Sequence, residues 1–232
     1  MNSTQATADL SEHFEPIRFP PRTVAQHLCA LAEASDYDNE PVPDDLRRAS
    51  AKRLREFRAG RWCARCAIRK LGYEAPSLIG RRSDGAPVWP ADIVGSITHA
   101  GSFAWAAVAG AAQTSSLGID TEVVMGDDEA SQVLEQICTP SEVRRAASLG
   151  SRSLGEYVTL LFSAKESVHK CSSLITGLSF DPLAYELAHI TATRIIVTVA
   201  RSRTRSDRAL PRMAARYRRI GNQIYTACIA VS

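Results

Sequence analysis

The chain has 232 residues, of which 45% are hydrophobic and 23% charged, and its net charge is +3. That composition is typical of a globular protein and excludes a disordered chain or a disulfide scaffold. The N-terminus lacks the basic and apolar regions of a secretory signal, and the longest run of small apolar residues, 103–112, is too short to cross a membrane. We therefore expect a cytoplasmic protein without a membrane span, with reduced cysteines.

Basic residues are concentrated in two zones of the sequence. Residues 44–70 contain ten Lys and Arg against three acids, and residues 194–219 contain nine Arg against one Asp. Such zones indicate an anionic partner, which is a phosphate, an acidic protein or a nucleic acid. Because neither zone has interleaved aromatic residues or a known nucleic-acid docking motif, we predict no nucleic-acid function.

Two helices are predicted before residue 72. Residues 22–33 read as a short helix. A long helix follows, with Asp44 or Asp45 as its cap and Gly72 as its stop after Leu71.

Two arginines fall on the apolar face of the long helix. At about 100° per residue, Arg53 and Arg61 lie within the apolar sector, whereas the other basic residues face solvent. An unpaired charge on a buried face is costly, so each should meet either an acid or a bound anion. The helix alone does not decide between these partners.

Residues 62–66 spell WCARC, which superficially resembles a thioredoxin redox motif. That motif belongs where a strand opens a helix, because the helix N-terminus lowers the thiol pKa. Here the motif lies well inside the predicted helix, on its polar side, and no second ligand pair accompanies it. We predict neither redox chemistry nor a zinc site.

Residues 80–90 form a predicted loop rich in Gly and Pro, in which Arg81 and Arg82 contact either an anion or solvent. Residues 93–110 then read as two strands joined by a tight turn, with His99 at the rim. A lone histidine there is either structural or next to a ligand.

Residues 115–123 alternate as a strand does, which places Asp120 and Glu122 on one face. Adjacent carboxylates repel each other, and such a pair invites a hard cation such as Mg²⁺. Cross-strand salt bridges at a solvated edge are the alternative interpretation.

The helix around residues 160–170 carries an acid and a base on one face, Glu166 and Lys170, one turn apart. The chain has only four lysines, and Lys165 and Lys170 are two of them. An ammonium suits a point contact with a phosphate oxygen or a shifted pKa. A simple surface ion pair is the other interpretation.

The remaining segments have simpler patterns. Residues 125–142 contain a helix and a second helix start at Thr139, and a helix begins near Ser153. Strands are predicted in SLITGLSFDP (173–182), in ELAHITATRIIVTVA (186–200) and, after an arginine-rich turn, in a terminal pair.

Four separated segments together resemble the motif set of the 4'-phosphopantetheinyl transferases of the surfactin and enterobactin type. They are KRLREFRAGRWCAR (52–65), APVWPADIVGSITH (86–99), GIDTE (118–122) and FSAKESVHK (162–170). The closing RYRRIGNQIYTACIAV (216–231) is similar to that family's terminal strand pair. The matches span most of the chain.

The resemblance implies an α/β (α+β) fold of two similar halves in a pseudo-two-fold arrangement, each a helix on a small antiparallel sheet. The active site is expected at their junction, near Gln113. Residues 1–112 would hold the arginines and histidine that bind the coenzyme A phosphates, and residues 113–232 the metal-binding carboxylates and catalytic helix.

The implied reaction moves the phosphopantetheine arm of coenzyme A to a serine of an acyl or peptidyl carrier protein and releases adenosine 3',5'-bisphosphate. The carriers would serve polyketide, non-ribosomal peptide (including siderophore) or fatty acid synthesis, and the enzyme would act as a monomer. Asp120, Glu122 and Glu166 would hold Mg²⁺, or Mn²⁺, with Glu166 also the candidate base and Lys170 on the phosphates. The implied coenzyme A contacts are Arg53, Arg61, Arg81, Arg82, Ser96, Thr98, His99, Lys165 and Lys170.

The sequence departs from the family pattern at two positions. His169 stands where an apolar or aromatic residue is common. Asp84 stands where some members present a lysine to coenzyme A, so Arg81 or Arg82 replaces that contact or it is absent. The rival interpretation is a non-catalytic coenzyme A or carrier-binding module. We interpret the solvent-side arginines, such as Arg58 and Arg65, as a docking surface for an acidic carrier helix.

Overall fold

The computed structural model describes residues 14–19, 23–31, 36–147, 152–176, 179–199 and 212–231. Their contacts divide the chain into two compact units, Met1–Leu117 with Ala230–Ser232, and Gly118–Ile229. The helices are α1 (Ala51–Lys70), α2 (Asp127–Ile137), α3 (Pro140–Ala146) and α4 (Leu154–Thr176). The strands are β1 (Ala25–Ala30), β2 (Gly80–Arg81), β3 (Pro87–Val88), β4 (Ile93–Ala100), β5 (Phe103–Gly110), β6 (Thr114–Val123), β7 (Tyr185–Ile190), β8 (Arg194–Val199), β9 (Met213–Ile220) and β10 (Gln223–Val231).

Mixed α/β architecture is thus confirmed, with antiparallel sheets and four α-helices in the described residues. The pseudo-two-fold relation and the functional division into 1–112 and 113–232 stay predictions. None of the helices in these ranges is long and apolar enough to cross a membrane.

In the first unit, α1 packs on a three-stranded antiparallel sheet in the order β1-β5-β4. The predicted strand pair is confirmed as β4 and β5, and β1 joins it at the other side of β5. Gly60 lets α1 approach β4 closely, since a Cβ there would lie 2.7 Å from the Ile97 Cγ2. The two elements that carry Arg53 and His99 are therefore held together by a glycine contact.

Helix α1 begins later than the sequence suggested. Its cap is Ser50, whose Oγ accepts a hydrogen bond from the Arg53 amide, whereas Asp44 and Asp45 lie in a separate 3-10 turn. The prediction of an Asp cap was wrong because the 3-10 turn is separate from α1, although the spacing of apolar residues continues from one segment into the other. The stop was correct: Gly72 has a φ of 92°, which glycine adopts without strain.

The helix predicted over 22–33 was also wrong, because residues 25–30 form β1 and pair with β5. Short segments of Ala, Leu and Cys suit either structure, and the neighbouring strand decides. Cys63 was placed on a polar face, yet it is fully buried, with its Sγ 3.3 Å from that of Cys29. The WCARC motif therefore contributes to the core of this unit.

In the second unit, α4 packs on a sheet in the order β6-β10-β9-β8-β7, and α2 packs on α4. The predicted strand in 173–182 was wrong: α4 continues through Thr176, and 182–184 form a 3-10 turn. Once a helix has formed, each further residue adds a hydrogen bond, so residues of moderate β-propensity can continue it. The arginine-rich turn, 200–211, lies outside the described residues.

Strand β6 lies very close to α4 at Gly118. A Cβ on Gly118 would lie 2.0 Å from the Ser167 carbonyl oxygen and 2.5 Å from the Cys171 amide nitrogen. Both atoms belong to the helix backbone, so neither can rotate away. Only glycine allows this strand to lie so close to this helix.

Replacing Gly118 by Ala must separate β6 from α4, because the added methyl group overlaps helix backbone. We expect the free energy of unfolding to fall by at least about 2 kcal/mol, as for an overpacked core. Urea denaturation followed by circular dichroism measures the change. The matched control is Gly80→Ala, whose Cβ would lie 3.5 Å from its nearest neighbour; equal losses in both variants would contradict this account.

His27 makes stability depend on pH. It is buried in β1, neither ring nitrogen has a hydrogen-bond partner among the described residues, and burial, followed by the charge of Lys70, lowers its pKa to about 4. The unfolded chain therefore takes up the proton first as pH falls below about 6.5, and stability present above that pH is lost toward pH 4.

We expect wild type to lose up to about 3 kcal/mol more unfolding free energy than His27→Phe between pH 6.5 and 4. Denaturation curves at several pH values check this, with the exposed His189→Gln as control. Parallel pH profiles for wild type and His27→Phe would exclude His27 as the cause.

Candidate active site

Strand β6 and helix α4 bring Asp120, Glu166 and Lys170 together in the second unit. The Lys170 Nζ lies 2.7 Å from the Asp120 Oδ1 and 3.8 Å from the Glu166 Oε2. Asp120 is buried, whereas Glu166 and Lys170 are partly exposed. The predicted acid and base of α4 thus share a third partner from the GIDTE motif, and are more than an isolated surface pair.

The charges in this cluster perturb one another. Burial, reinforced by Asp120, raises the pKa of Glu122 to about 7. Burial also raises the pKa of Glu166, with Lys170 opposing. For Lys170, burial alone would lower the pKa, but Asp120 and Glu166 outweigh it and raise the pKa. The ammonium is therefore charged, and it offsets only part of the carboxylate repulsion.

The donor set fits a hard cation. Asp120, Glu122 and Glu166 carry carboxylate oxygens, which Mg²⁺ prefers, and burial, reinforced by their mutual repulsion, raises the pKa values of Glu122 and Glu166. Within the described ranges, no three His, Cys, Asp or Glu side chains are arranged around a common metal position. The Lys170 ammonium instead lies next to Asp120.

The first unit carries a second cluster, in which α1 faces β4. The Arg53 Nη1 lies 3.0 Å from the His99 Nε2, and the Glu56 Oε2 lies 3.8 Å from both the Arg53 Nη1 and the His99 Nδ1. Since a guanidinium only donates, His99 accepts at Nε2 and carries its proton at Nδ1, toward Glu56. Arg53 was predicted on the apolar face, but its side chain is 44% exposed.

Arg61 is buried, as its place on the apolar face predicted. Its Nε donates to the Ile79 carbonyl oxygen at 3.1 Å, and its guanidinium lies 4.6 Å from the centre of the Phe57 ring. Burial, then the nearby charges of Arg81 and Arg53, lowers its pKa to about 10. Three arginines therefore repel one another here, which is the arrangement that a bound anion relieves.

The other predicted contacts divide into two groups. Arg81 binds Asp45 at 2.5 Å, and the more exposed Arg82 binds Asp84 at 3.3 Å. On β4, alternation turns Ser96 and Thr98 away from the face that Ile97 and His99 present to α1. Arg81 thus lies near Arg61, but Ser96 and Thr98 lie buried on the opposite face of β4.

Lys165 occupies a different environment from the one its predicted contact with coenzyme A requires. It is fully buried, and its Nζ donates to the Glu142 Oε2 at 2.6 Å and to the Ile137 carbonyl oxygen at 2.8 Å. Helical spacing could have predicted the burial of Lys165, since Lys165 follows the buried Leu161 by four residues and precedes the buried Val168 by three. The sequence did not identify Glu142 as the partner of Lys165, because the helix start at Thr139 already accounted for an acidic residue at that position.

Two carboxylate partners of the basic residues on α1 were not predicted from the sequence. Glu56, on α1 itself, faces Arg53 and His99. Arg65, predicted to face solvent, is half-buried and binds the buried Glu40 at 2.8 Å. Arg65 is therefore part of the folded core rather than of a free basic surface.

Two family models match the chain. The 4'-phosphopantetheinyl transferase N-terminal domain matches residues 42–109, and the 4'-phosphopantetheinyl transferase superfamily matches residues 116–217. The solved structure "Chronobacterium ammoiniagenes apo-ACPS structure" aligns with a TM-score of 0.39 at 20% identity over 49% of this chain and 93% of that one, too low a score to carry an argument.

Several proteins of known name are similar in sequence. The 4'-phosphopantetheinyl transferase Svp of Streptomyces mobaraensis is 47% identical over 73% of this chain and 69% of its own length. Enterobactin synthase component D of Escherichia coli K12 is 36% identical over 66% and 69%. The 4'-phosphopantetheinyl transferase PptT of Mycobacterium tuberculosis is 34% identical over 74% of each chain. The chain therefore belongs to the 4'-phosphopantetheinyl transferase superfamily and is an enzyme of that class.

Proposed function

We propose that this enzyme transfers the 4'-phosphopantetheine arm of coenzyme A to a serine hydroxyl of an apo acyl or peptidyl carrier protein. The released product is adenosine 3',5'-bisphosphate. The observation that supports this proposal is the convergence of Asp120, Glu166 and Lys170. Two carboxylates and an ammonium lie together, and the side chains of Glu166 and Lys170 are partly exposed.

The reaction makes one bond and breaks one. The serine oxygen bonds to the phosphorus that bears the pantetheine chain, and the bond from that phosphorus to the bridging pyrophosphate oxygen breaks. Glu166 accepts the serine proton, and Lys170 neutralises charge on the phosphate oxygens. Asp120, Glu122 and Glu166 would hold Mg²⁺ or Mn²⁺, which supplies Lewis-acid stabilisation of the same charge.

We infer that Arg53, Arg61 and His99 bind phosphate groups of coenzyme A. Within the described part of the chain, the hydrogen bonds of Arg61 go to the backbone carbonyl oxygens of Ile79 and Gly80 and to no carboxylate, and Arg53 presents a partly exposed guanidinium next to it. Arginine forks suit phosphate oxygens. His99 contributes in its doubly protonated form, which donates from Nε2 to a phosphate oxygen while the Nδ1 proton is directed at Glu56. Arg81 supports the same positive field, whereas Arg82 is more exposed and bound to Asp84.

The carrier is proposed to be acidic and to bind the exposed basic side of α1. Since Arg65 is engaged with Glu40, the better candidates are Lys52 and the half-buried Arg55 and Arg58. The named relatives include enterobactin synthase component D, which agrees with a carrier of a siderophore or other non-ribosomal peptide assembly. A monomeric state is part of the same proposal.

Glu166→Gln separates the transferase from a non-catalytic binding module of the same family. Because glutamine keeps the shape but cannot accept the serine proton, we expect transfer to fall by about 100-fold or more. Intact-protein mass spectrometry of an apo carrier with coenzyme A and Mg²⁺ measures the gain of one phosphopantetheine, and EDTA should abolish it. The control is Glu135→Gln, an exposed carboxylate on α2. Wild type that binds coenzyme A but modifies no carrier would favour the binding module.

Arg53→Gln tests the phosphate contacts of the first unit. Losing one charge-assisted hydrogen bond to phosphate should raise the Kd for coenzyme A by about 10-fold or more, at an exposed site that folding tolerates. Isothermal titration calorimetry measures it, with the exposed neighbour Lys52→Gln as control. Dephospho-coenzyme A then shows whether Arg53 reads the 3'-phosphate, since that ligand should lose less affinity if it does. An unchanged Kd for both ligands would remove Arg53 from the site.

A further inference from the structure

Lys165 and Glu142 form an ion pair inside the second unit, with the Lys165 Nζ 2.6 Å from the Glu142 Oε2 and both side chains at 0% exposure. Breaking such a pair from one side is costly because it strands a buried charge. Replacing both partners by apolar residues of similar volume is often neutral or stabilising. Stability alone is therefore a weak reason for a chain to keep this pair.

The pair ties α4 to three other elements. Lys165 donates to the last residue of α2, through the Ile137 carbonyl oxygen. Glu142 accepts from the Thr139 amide at the start of α3 at 2.7 Å, and from the Leu187 amide of β7 at 2.6 Å. Each of these contacts is directed at backbone or at the other partner, so the position of the Lys165 ammonium is fixed.

Lys165 directly precedes Glu166, and about 100° of helix rotation separates the two side chains. Glu166 faces the acid cluster, while Lys165 is anchored in the interior. If α4 turned about its axis, the Glu166 carboxylate and the Lys170 ammonium would move together relative to Asp120. A displacement of about 1 Å is enough to cost roughly 100-fold in rate.

We propose that Lys165 and Glu142 are positioning residues that fix the rotational setting of α4 and thereby hold Glu166 and Lys170 in register with Asp120. This inference rests on the proposed transfer reaction for its kinetic consequence. It replaces the contact between Lys165 and coenzyme A that the family resemblance implied, because the buried ammonium is already held by Glu142 and Ile137.

The test compares Lys165→Met with wild type by transfer kinetics, coenzyme A calorimetry and hydrogen exchange. Methionine keeps the apolar stem and removes the ammonium. We expect kcat to fall between about 10- and 100-fold, the Kd for coenzyme A to stay within about twofold because no ligand contact is lost, and amide protection in residues 162–170 to decrease. The control for general destabilisation is Val197→Ala in the core of β8, which should lower the melting temperature and leave kcat unchanged.

The following results would contradict the proposed positioning role. A large rise in the Kd for coenzyme A would return Lys165 to the binding site, and a lower melting temperature with wild-type kcat and exchange would make the pair merely structural. If Lys165→Met does not fold, the double variant Lys165→Met with Glu142→Leu removes both charges, and wild-type kcat in it would overturn the proposal. If wild type transfers nothing, the proposed reaction fails, and unchanged exchange in 162–170 would still separately overturn the positioning role.

Discussion

The backbone contact between β6 and α4 at Gly118 is the constraint on which the acid cluster depends. Gly118 lies two residues before Asp120, and its contacts on the helix, Ser167 and Cys171, flank Lys170. Because strand and helix touch through backbone atoms, Asp120 lies within reach of the Lys170 side chain, whose Nζ is 2.7 Å from the Asp120 Oδ1. The glycine of the GIDTE motif therefore sets the distance at which the two charge-bearing motifs act together.

Helix α4 is then held on several sides by polar groups that face the interior. The Ser163 hydroxyl lies 2.9 Å from that of Thr226 in β10, and Lys165 binds Glu142 of α3. After the first turn of α4, the partly exposed side chains among those described lie on the side that carries Glu166 and Lys170. A helix that is polar in its buried positions cannot slide or rotate without leaving a hydrogen-bonding group unsatisfied, and such a loss costs about 1–3 kcal/mol. This polarity makes α4 a precise support for a reacting group.

The sequence predicted much of this arrangement, and its failures have physical causes. The hairpin of β4 and β5, strand β6 and the reach of α4 past Glu166 followed from alternation and helical spacing. Strand β1 did not, because six residues of mixed propensity take their structure from the neighbour that pairs with them. Lys165 was misassigned because a charge in a functional motif was taken to face a ligand, although its spacing from Leu161 and Val168 already placed it on the buried face. Contact partners far apart in sequence, such as Glu142, are not encoded in local periodicity.

The proposed binding of an anion by the first unit follows from the way in which the fold holds Arg61. Its Nε and Nη2 donate to two backbone carbonyl oxygens, and these neutral acceptors hold the guanidinium without cancelling its positive charge. The depressed pKa, about 10, records the cost of holding that charge inside and near Arg81 and Arg53. An acid partner would have removed the cost and with it the attraction for a ligand. By directing Arg61 to neutral carbonyls, the fold fixes the guanidinium in place and leaves its positive field available to an anion such as the phosphate that we propose it binds.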